Sequence, residues 1–152
     1  MKMIKFHPPY EPKKNNRFLV NLPDFFEIPE YLIKSFERPS IKIINEPTGE
    51  SYMDWKIISL EIYDIVNPST SHKIWNLIKA LEGNDDKLLE LAEKIKRFDI
   101  KLQLLGPIGD TVEEWELKVQ LVEILFGDLN NEDDNVTNIT LRLKPLMVKL
   151  NY

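Results

Sequence analysis

The stretch of sequence from residue 97 to residue 126 reads RFDIKLQLLGPIGDTVEEWELKVQLVEILF and decides the fold. Apolar and polar residues alternate on both sides of a turn, GPIGD at 106–110, which contains proline and glycine. Side chains of a strand point alternately to the two faces of a sheet, so the pattern predicts an antiparallel β-hairpin with one apolar face. The apolar phase slips near Leu121, and such a slip predicts a β-bulge.

Further strands are predicted on both sides of this hairpin. The segment 54–64 carries apolar side chains in both phases of a strand, so we expect it to be a strand covered on both faces. Proline and glycine in the segment 45–51 predict a loop between two strands. The remaining strand segments are 17–22, 30–37, 41–44, 139–143 before Pro145, and the strand-like C-terminus 146–152.

Residues 67–96 have helical spacing instead. Capping residues at 67–71 precede apolar residues repeated at i, i+3, i+4 and i+7, and Gly83 predicts the end of that helix. Asn84 and Asp85 could cap a second helix with its own apolar face. The apolar residues of the two predicted helices are Ile74, Leu77, Ile78 and Leu81, then Leu88, Leu91, Ala92 and Ile95.

These elements predict an α+β fold, with an antiparallel β-barrel or sandwich of about six or seven strands and a helical insertion. The domain is expected to occupy residues 17–152. The segment 1–16 is rich in proline and charge and lacks periodicity, so it is expected to be an N-terminal arm that becomes ordered only against another surface.

Composition narrows the classes of function. The chain has 20 basic and 25 acidic residues, a net charge of −5, and its basic residues are dispersed, which argues against tight nucleic-acid binding. The absence of cysteine excludes disulfides and thiol nucleophiles. The N-terminal segment lacks the apolar run of a signal peptide, and no stretch approaches the roughly 20 apolar residues that span a bilayer, so no membrane association is expected.

Candidate catalytic residues are few. The histidines are His7, in the arm, and His72, which is expected in the first turn of a helix, so a hydrolytic triad has no basis. Gly106 and Gly109 lie between two strands, whereas phosphate-binding loops lead from a strand into a helix, so turn geometry explains both.

Two groups of acidic residues resemble a metal site or a catalytic pair. The segment 128–134, DLNNEDD, resembles a calcium loop, but the required glycine and glutamate positions hold Asp133 and Ile139, so a solvated loop is predicted. Strand alternation sends Glu113 and Glu114 to opposite faces, so these residues and Glu116 are predicted to form a solvated strand edge. No catalytic residue, cofactor or metal ion is predicted.

The order of the segments carries a family resemblance. The matching segments are NRFLV at 16–20, FERP at 36–39, DWKI at 54–57, YD at 63–64, the helix around Trp75, LLGPIGDTVEEWEL at 104–117, ILFGDLNNEDDN at 124–135 and ITLRLKPLMVKLNY at 139–152. Together they resemble the bacteriophage tail tube protein family, whose fold is shared with the tube proteins of type VI secretion and related contractile injection systems.

The resemblance implies a structural subunit of the virion tail, assembled in the host cytoplasm. Six copies would close into a ring, and rings would stack into a hollow tube through which DNA leaves the capsid. Loops and the N-terminal arm would reach the neighbouring subunit or ring, and tail sheath or baseplate proteins are possible further partners. The candidates for lining the lumen, or for facing the outside, are Lys101, Gln103, Asn138, Thr140 and Arg142.

Other functions remain open at this point. A tube-initiating, baseplate or tail-terminating ring protein would have the same fold. A monomeric adaptor could instead accept a partner strand at an exposed sheet edge. An enzyme that uses carboxylates and bound Ca²⁺ at 128–134 is the third alternative.

Overall fold

The structure is a computed structural model that describes residues 11–83 and 86–151. Six strands form one antiparallel sheet, in the order β1-β6-β7-β8-β5-β2, which curls into a nearly closed barrel. Two strands, β3 and β4, form a separate hairpin. The elements are β1 (Phe18–Asn21), β2 (Ile33–Phe36), β3 (Ile41–Asn45), β4 (Ser51–Trp55), β5 (Ile58–Tyr63), α1 (Thr70–Glu82), α2 (Asp86–Lys96), β6 (Arg97–Leu105), β7 (Thr111–Leu125) and β8 (Asn138–Leu150). The predicted α+β fold with a helical insertion is confirmed.

The core lies inside the barrel. Alternate residues of neighbouring strands face each other there, as in the pairs Ile58–Leu143, Leu60–Leu141 and Ile62–Ile139. All six of these side chains are at most 1% exposed. Burying such a side chain stabilises the fold by about 1.5–3 kcal/mol relative to leaving it in water, so these rows fix the register.

The predicted β6–β7 hairpin and its bulge are both confirmed. Gly109 has a φ of 83° in the turn, where a glycine is favoured. The register between β7 and β8 shifts between Leu121 and Glu123, which leaves Val122 as the extra residue. A second shift leaves Leu146 unpaired next to Pro145, so the two predicted C-terminal segments form one strand. A bulge is one of the few places where a sheet accommodates proline.

The prediction of one strand over 54–64 is wrong. The chain leaves the β3–β4 hairpin after Trp55, where the backbone N–H of Lys56 donates to the carbonyl of Ser40 (2.9 Å), and β5 begins at Ile58 in the barrel. Trp55 therefore belongs to β4 and Ile57 lies between the two strands, while the outer face of β5 carries Ser59, Glu61 and Tyr63. The predicted strand 30–37 is also shorter, because Glu30–Leu32 form a 3₁₀ turn ahead of β2.

Both helices form where predicted. The Ser69 side chain accepts a hydrogen bond from the backbone N–H of His72 at the start of α1, and Ile74, Leu77 and Ala80 are buried. Ala92 and Ile95 of α2 are buried as well. The predicted caps Asn84 and Asp85 and the side chain of Leu88 lie outside the described residues. Within residues 11–83 and 86–151, no helix is long and apolar enough to cross a membrane.

Candidate assembly surface

The β3–β4 hairpin exposes an apolar face. The pairs Ile41–Trp55 and Ile43–Met53 place these four side chains on the same side, which we call the hairpin face. Ile43 is 66% exposed and Met53 is 69% exposed. A two-stranded hairpin is marginally stable on its own in water, and contiguous exposed apolar side chains mark interaction sites. The hairpin face therefore has the properties of a contact surface.

Polar bonds hold the base of the hairpin on the barrel. The Lys144 ammonium of β8 donates to the Asp54 carboxylate (3.1 Å) and to the Trp55 carbonyl (2.6 Å). At the other end, the backbone N–H of Glu46 donates to the carbonyl of Glu50 (2.9 Å), and Gly49 has a φ of 87°. The hairpin is thus anchored at its base while its apolar face stays exposed.

A buried carboxylate lies where the last residues of the predicted arm and the segment that leads into the hairpin meet the barrel. Glu113 of β7 is 4% exposed. It accepts hydrogen bonds from Lys13 Nζ (2.6 Å), Trp115 Nε1 (2.6 Å) and Arg38 Nη1 (3.3 Å). The prediction of a solvated edge is wrong for Glu113, because β7 lies between β6 and β8 inside the sheet. The predicted opposite orientation of Glu114 is correct, since Glu114 bonds Gln103 and Asn151.

The surroundings of Glu113 keep its carboxylate charged. Burial by itself raises the pKa of this carboxyl, but the hydrogen bonds from Lys13, Trp115 and Arg38 outweigh burial, and the pKa lies below its usual value. A buried charge with these partners costs stability when one partner is removed. Lys13 belongs to the predicted arm, and Arg38 lies three residues before β3. Glu113 therefore connects the segment after residue 11 and the base of the hairpin to the barrel.

The other residues singled out in the sequence lie apart. His72 is exposed in the first turn of α1, as predicted, and His7 lies outside the described residues. The segment 128–134 is exposed, and its Asp133 carboxylate accepts a hydrogen bond from the backbone N–H of Asn135 (2.8 Å). In the described part of the chain, no group of three histidine, aspartate or glutamate side chains could hold a metal ion. The outward face of the sheet carries all five residues that were candidates for the lumen, Lys101, Gln103, Asn138, Thr140 and Arg142.

Solved structures share this fold. A chain of the sheath–tube complex of an extracellular contractile injection system, PVC, in the extended state matches with a TM-score of 0.61 at 13% identity, over 92% of this chain and 91% of that chain. A chain of the sheath/tube terminator structure of the same system matches with a TM-score of 0.62 at 14% identity, over 93% of this chain and 98% of that chain.

A chain of the 6-fold symmetrised baseplate of the anti-feeding prophage matches with a TM-score of 0.58 at 19% identity, over 93% and 96%. No protein-family model and no curated protein sequence matches the chain. The chain therefore has the fold of proteins from tube, terminator and baseplate assemblies of contractile injection systems.

Proposed function

We propose that this chain is a structural subunit of a phage-tail-like tube, in which six copies close into a ring and rings stack into a hollow conduit. The observation that carries the proposal is the exposed hairpin face on a fold shared with proteins from sheath–tube and baseplate assemblies. The same fold with a fully covered hairpin would favour a monomeric module instead.

The hairpin face acts by contact with a different surface of the neighbouring copy. Such a head-to-tail contact generates a ring when the rotation between copies closes. Burial of Ile41, Ile43, Met53 and Trp55 would supply the apolar centre of that contact, where charged residues are normally depleted. In this proposal residues 1–16 act as an arm towards a neighbouring subunit. Residues 1–10 of the arm lie outside the described residues, and Lys13, in its described part, is held at Glu113.

The charge of the chain suits a conduit for DNA in the virion tail. Six copies at −5 each carry about −30 per ring, and a ring with this net charge repels phosphates rather than retaining them. Gln103, Asn138, Thr140 and Arg142 on the outward face of the sheet are our candidates for lining the lumen, where the charge of Arg142 is offset by its ion pair with Glu123. Lys101, the fifth candidate, lines a cavity on the same face. A place in the baseplate or in a terminal ring would use the same surfaces, and the copy number per particle distinguishes these positions.

The test compares two isoleucine substitutions by negative-stain electron microscopy and light scattering over a range of concentrations. Wild-type protein is expected to form rings or tubes. Ile43→Asp places a charge in the contact, which costs about 2 kcal/mol or more and weakens each contact at least about 30-fold, so this variant is expected to stay monomeric. Ile108→Asp is the matched control, because Ile108 is 89% exposed in the β6–β7 turn, and it is expected to assemble.

Two results would contradict the proposal. The first is a wild-type protein that remains monomeric at high concentration without any ring. The second is normal assembly of Ile43→Asp, which would show that the hairpin face does not form the contact. A thermal melt of each variant at low concentration verifies that the monomer is folded.

A further inference from the structure

A second surface carries a cavity rich in cations. The cavity has a volume of about 780 Å³ and is lined by residues of β6, β7, β8, the end of α2 and the segment after β1. We call it the cationic cavity. Five basic side chains line it, against the acidic Asp99 and Glu116. The basic residues are Lys94, Arg97, Lys101, Lys118 and Lys149.

The sheet register explains this grouping. Lys101 pairs with Glu116, and Glu116 pairs with Lys149, so three adjacent strands place these side chains in one row on the outward face. Apolar side chains, among them Phe25 and Met147, line the cavity as well. Among the described residues, no carboxylate lies within 4.0 Å of the charged groups of Arg97, Lys118 or Lys149. A concave site with an excess of positive charge attracts a partner of negative charge.

The chain itself carries a segment of complementary chemistry. The loop 128–134 holds Asp128, Glu132, Asp133 and Asp134, and none of them forms an ion pair with a described basic residue. Leu129, in the same loop, is 87% exposed. Asn130 and Asp133 cap the backbone N–H groups of Glu132 and Asn135, which gives the loop a defined shape. An acidic loop with one apolar side chain matches a cationic cavity with apolar lining.

The loop does not fit the cavity of its own copy. Lys118 lies seven residues before the end of β7 at Leu125, which is about 23 Å along a strand. Asp128 and Asp134 lie three and four residues from the strand ends that bound the loop, so they extend from those ends by at most about 13 Å, and Glu132, six residues from β8, extends by at most about 20 Å. None of residues 128–134 lines the cavity, so we look for its occupant in another molecule.

We propose that the acidic loop 128–134 of one copy docks in the cationic cavity of the next copy, with Leu129 against the apolar lining. This contact rests on the proposed assembly of copies and adds an electrostatic contact to the hairpin contact. The two surfaces differ, so the contact is head-to-tail and every copy offers one loop and one cavity. Opposite charges at such a contact select the partner and fix its register.

A charge-reversal experiment tests the pairing. The loop variant is Asp128→Lys, Glu132→Lys and Asp133→Lys, and the cavity variant is Arg97→Glu, Lys118→Glu and Lys149→Glu. Each variant alone is expected to raise the concentration required for assembly by about tenfold or more, because like charges then face each other. An equimolar mixture of the two variants is expected to assemble at nearly the wild-type concentration, since alternating copies again present opposite charges.

The control variant reverses three exposed glutamates outside both surfaces, Glu30, Glu82 and Glu93. It changes the net charge by the same amount as the loop variant and is expected to assemble normally. Normal assembly of the loop variant would overturn the docking contact while leaving the proposed function intact. Failure of the mixture to recover assembly would also overturn it, since the cavity would then serve another partner. A wild-type chain that never assembles contradicts both proposals.

Discussion

Strand β8 and the β3–β4 hairpin use the same alternating pattern in different ways. In β8, the apolar residues Ile139, Leu141 and Leu143 are 0% exposed. In the hairpin, Ile43 and Met53 occupy equivalent positions and are more than half exposed. The comparison shows that alternation in a sequence indicates a face that requires cover. It does not indicate whether the same chain or another copy supplies the cover.

The neighbours of each strand account for the difference. β8 pairs with β7 on one side and with β5 on the other, and the barrel closes over its inner face. β3 and β4 pair only with each other in the described part of the chain. Each therefore has an open edge as well as an exposed face, and open edges accept further contacts. The hairpin differs from the barrel in its surroundings more than in its residues.

The largest expected effect is a loss of stability, and it compares one residue of the barrel with one residue of the hairpin. Leu141→Ala removes buried apolar volume from the barrel, so the free energy of unfolding should fall by about 2–5 kcal/mol. Ile43→Ala should change it by no more than about 0.5 kcal/mol in the monomer. Urea denaturation at a concentration below assembly measures both. An equal loss for the two variants would mean that the hairpin face is already buried within the single chain.

Local rules predicted the barrel hairpin well. The period of two in β6 and β7, the glycine turn at 106–110 and the phase slip near Leu121 are properties of neighbouring residues, so the sequence alone contains them. The prediction of one strand over 54–64 was wrong because the boundary between two sheets falls inside one apolar run. The bond from Lys56 to Ser40 that closes the hairpin joins residues which no short pattern connects.

The polar cluster could be predicted only in part. Alternation gave Glu113 and Glu114 opposite faces correctly, but exposure depends on the position of β7 within the sheet. Lys13 lies 100 residues before Glu113, and Arg38 lies 75 residues before it, so no local pattern links them. The local sign that the face of Glu113 is covered is the apolar phase that it shares with Trp115, Leu117 and Val119.

A smaller loss of stability is expected from a substitution at Glu113, where the barrel and the hairpin are joined. Glu113→Gln removes the negative charge between Lys13 and Arg38, so the free energy of unfolding at pH 7 should fall by about 1–3 kcal/mol. The pKa of Glu113 is lower in the folded chain than in the unfolded chain. Its ionised form therefore stabilises wild type above the unfolded pKa, and this contribution is lost as the pH falls through the folded pKa.

Unfolding in urea at pH 7 and at about pH 3 measures the stability that the charge of Glu113 contributes. The difference between wild type and Glu113→Gln should be smaller at the lower pH, because the stability supplied by the ionised Glu113 declines once the pH falls below the unfolded pKa. Glu116→Gln, an exposed residue of the same strand, is the control and should follow wild type at both values. A difference that stays constant with pH would show that the charge of Glu113 does not hold the cluster together.

The smallest effect compares two glycines that share a backbone conformation. Gly49 at the hairpin tip has a φ of 87°, and Gly127 at the barrel rim has a φ of 83°. A Cβ at Gly127 would lie 2.8 Å from the carbonyl oxygen of Asn138, whereas a Cβ at Gly49 would meet nothing within 4 Å. Gly49→Ala should therefore cost about 1 kcal/mol for the left-handed backbone alone, and Gly127→Ala about 1 kcal/mol more because the backbone must shift. If urea denaturation shows equal losses of unfolding free energy for the two variants, the backbone at Gly127 shifts as easily as the backbone at Gly49. The rigid part of the barrel would then end before residue 127.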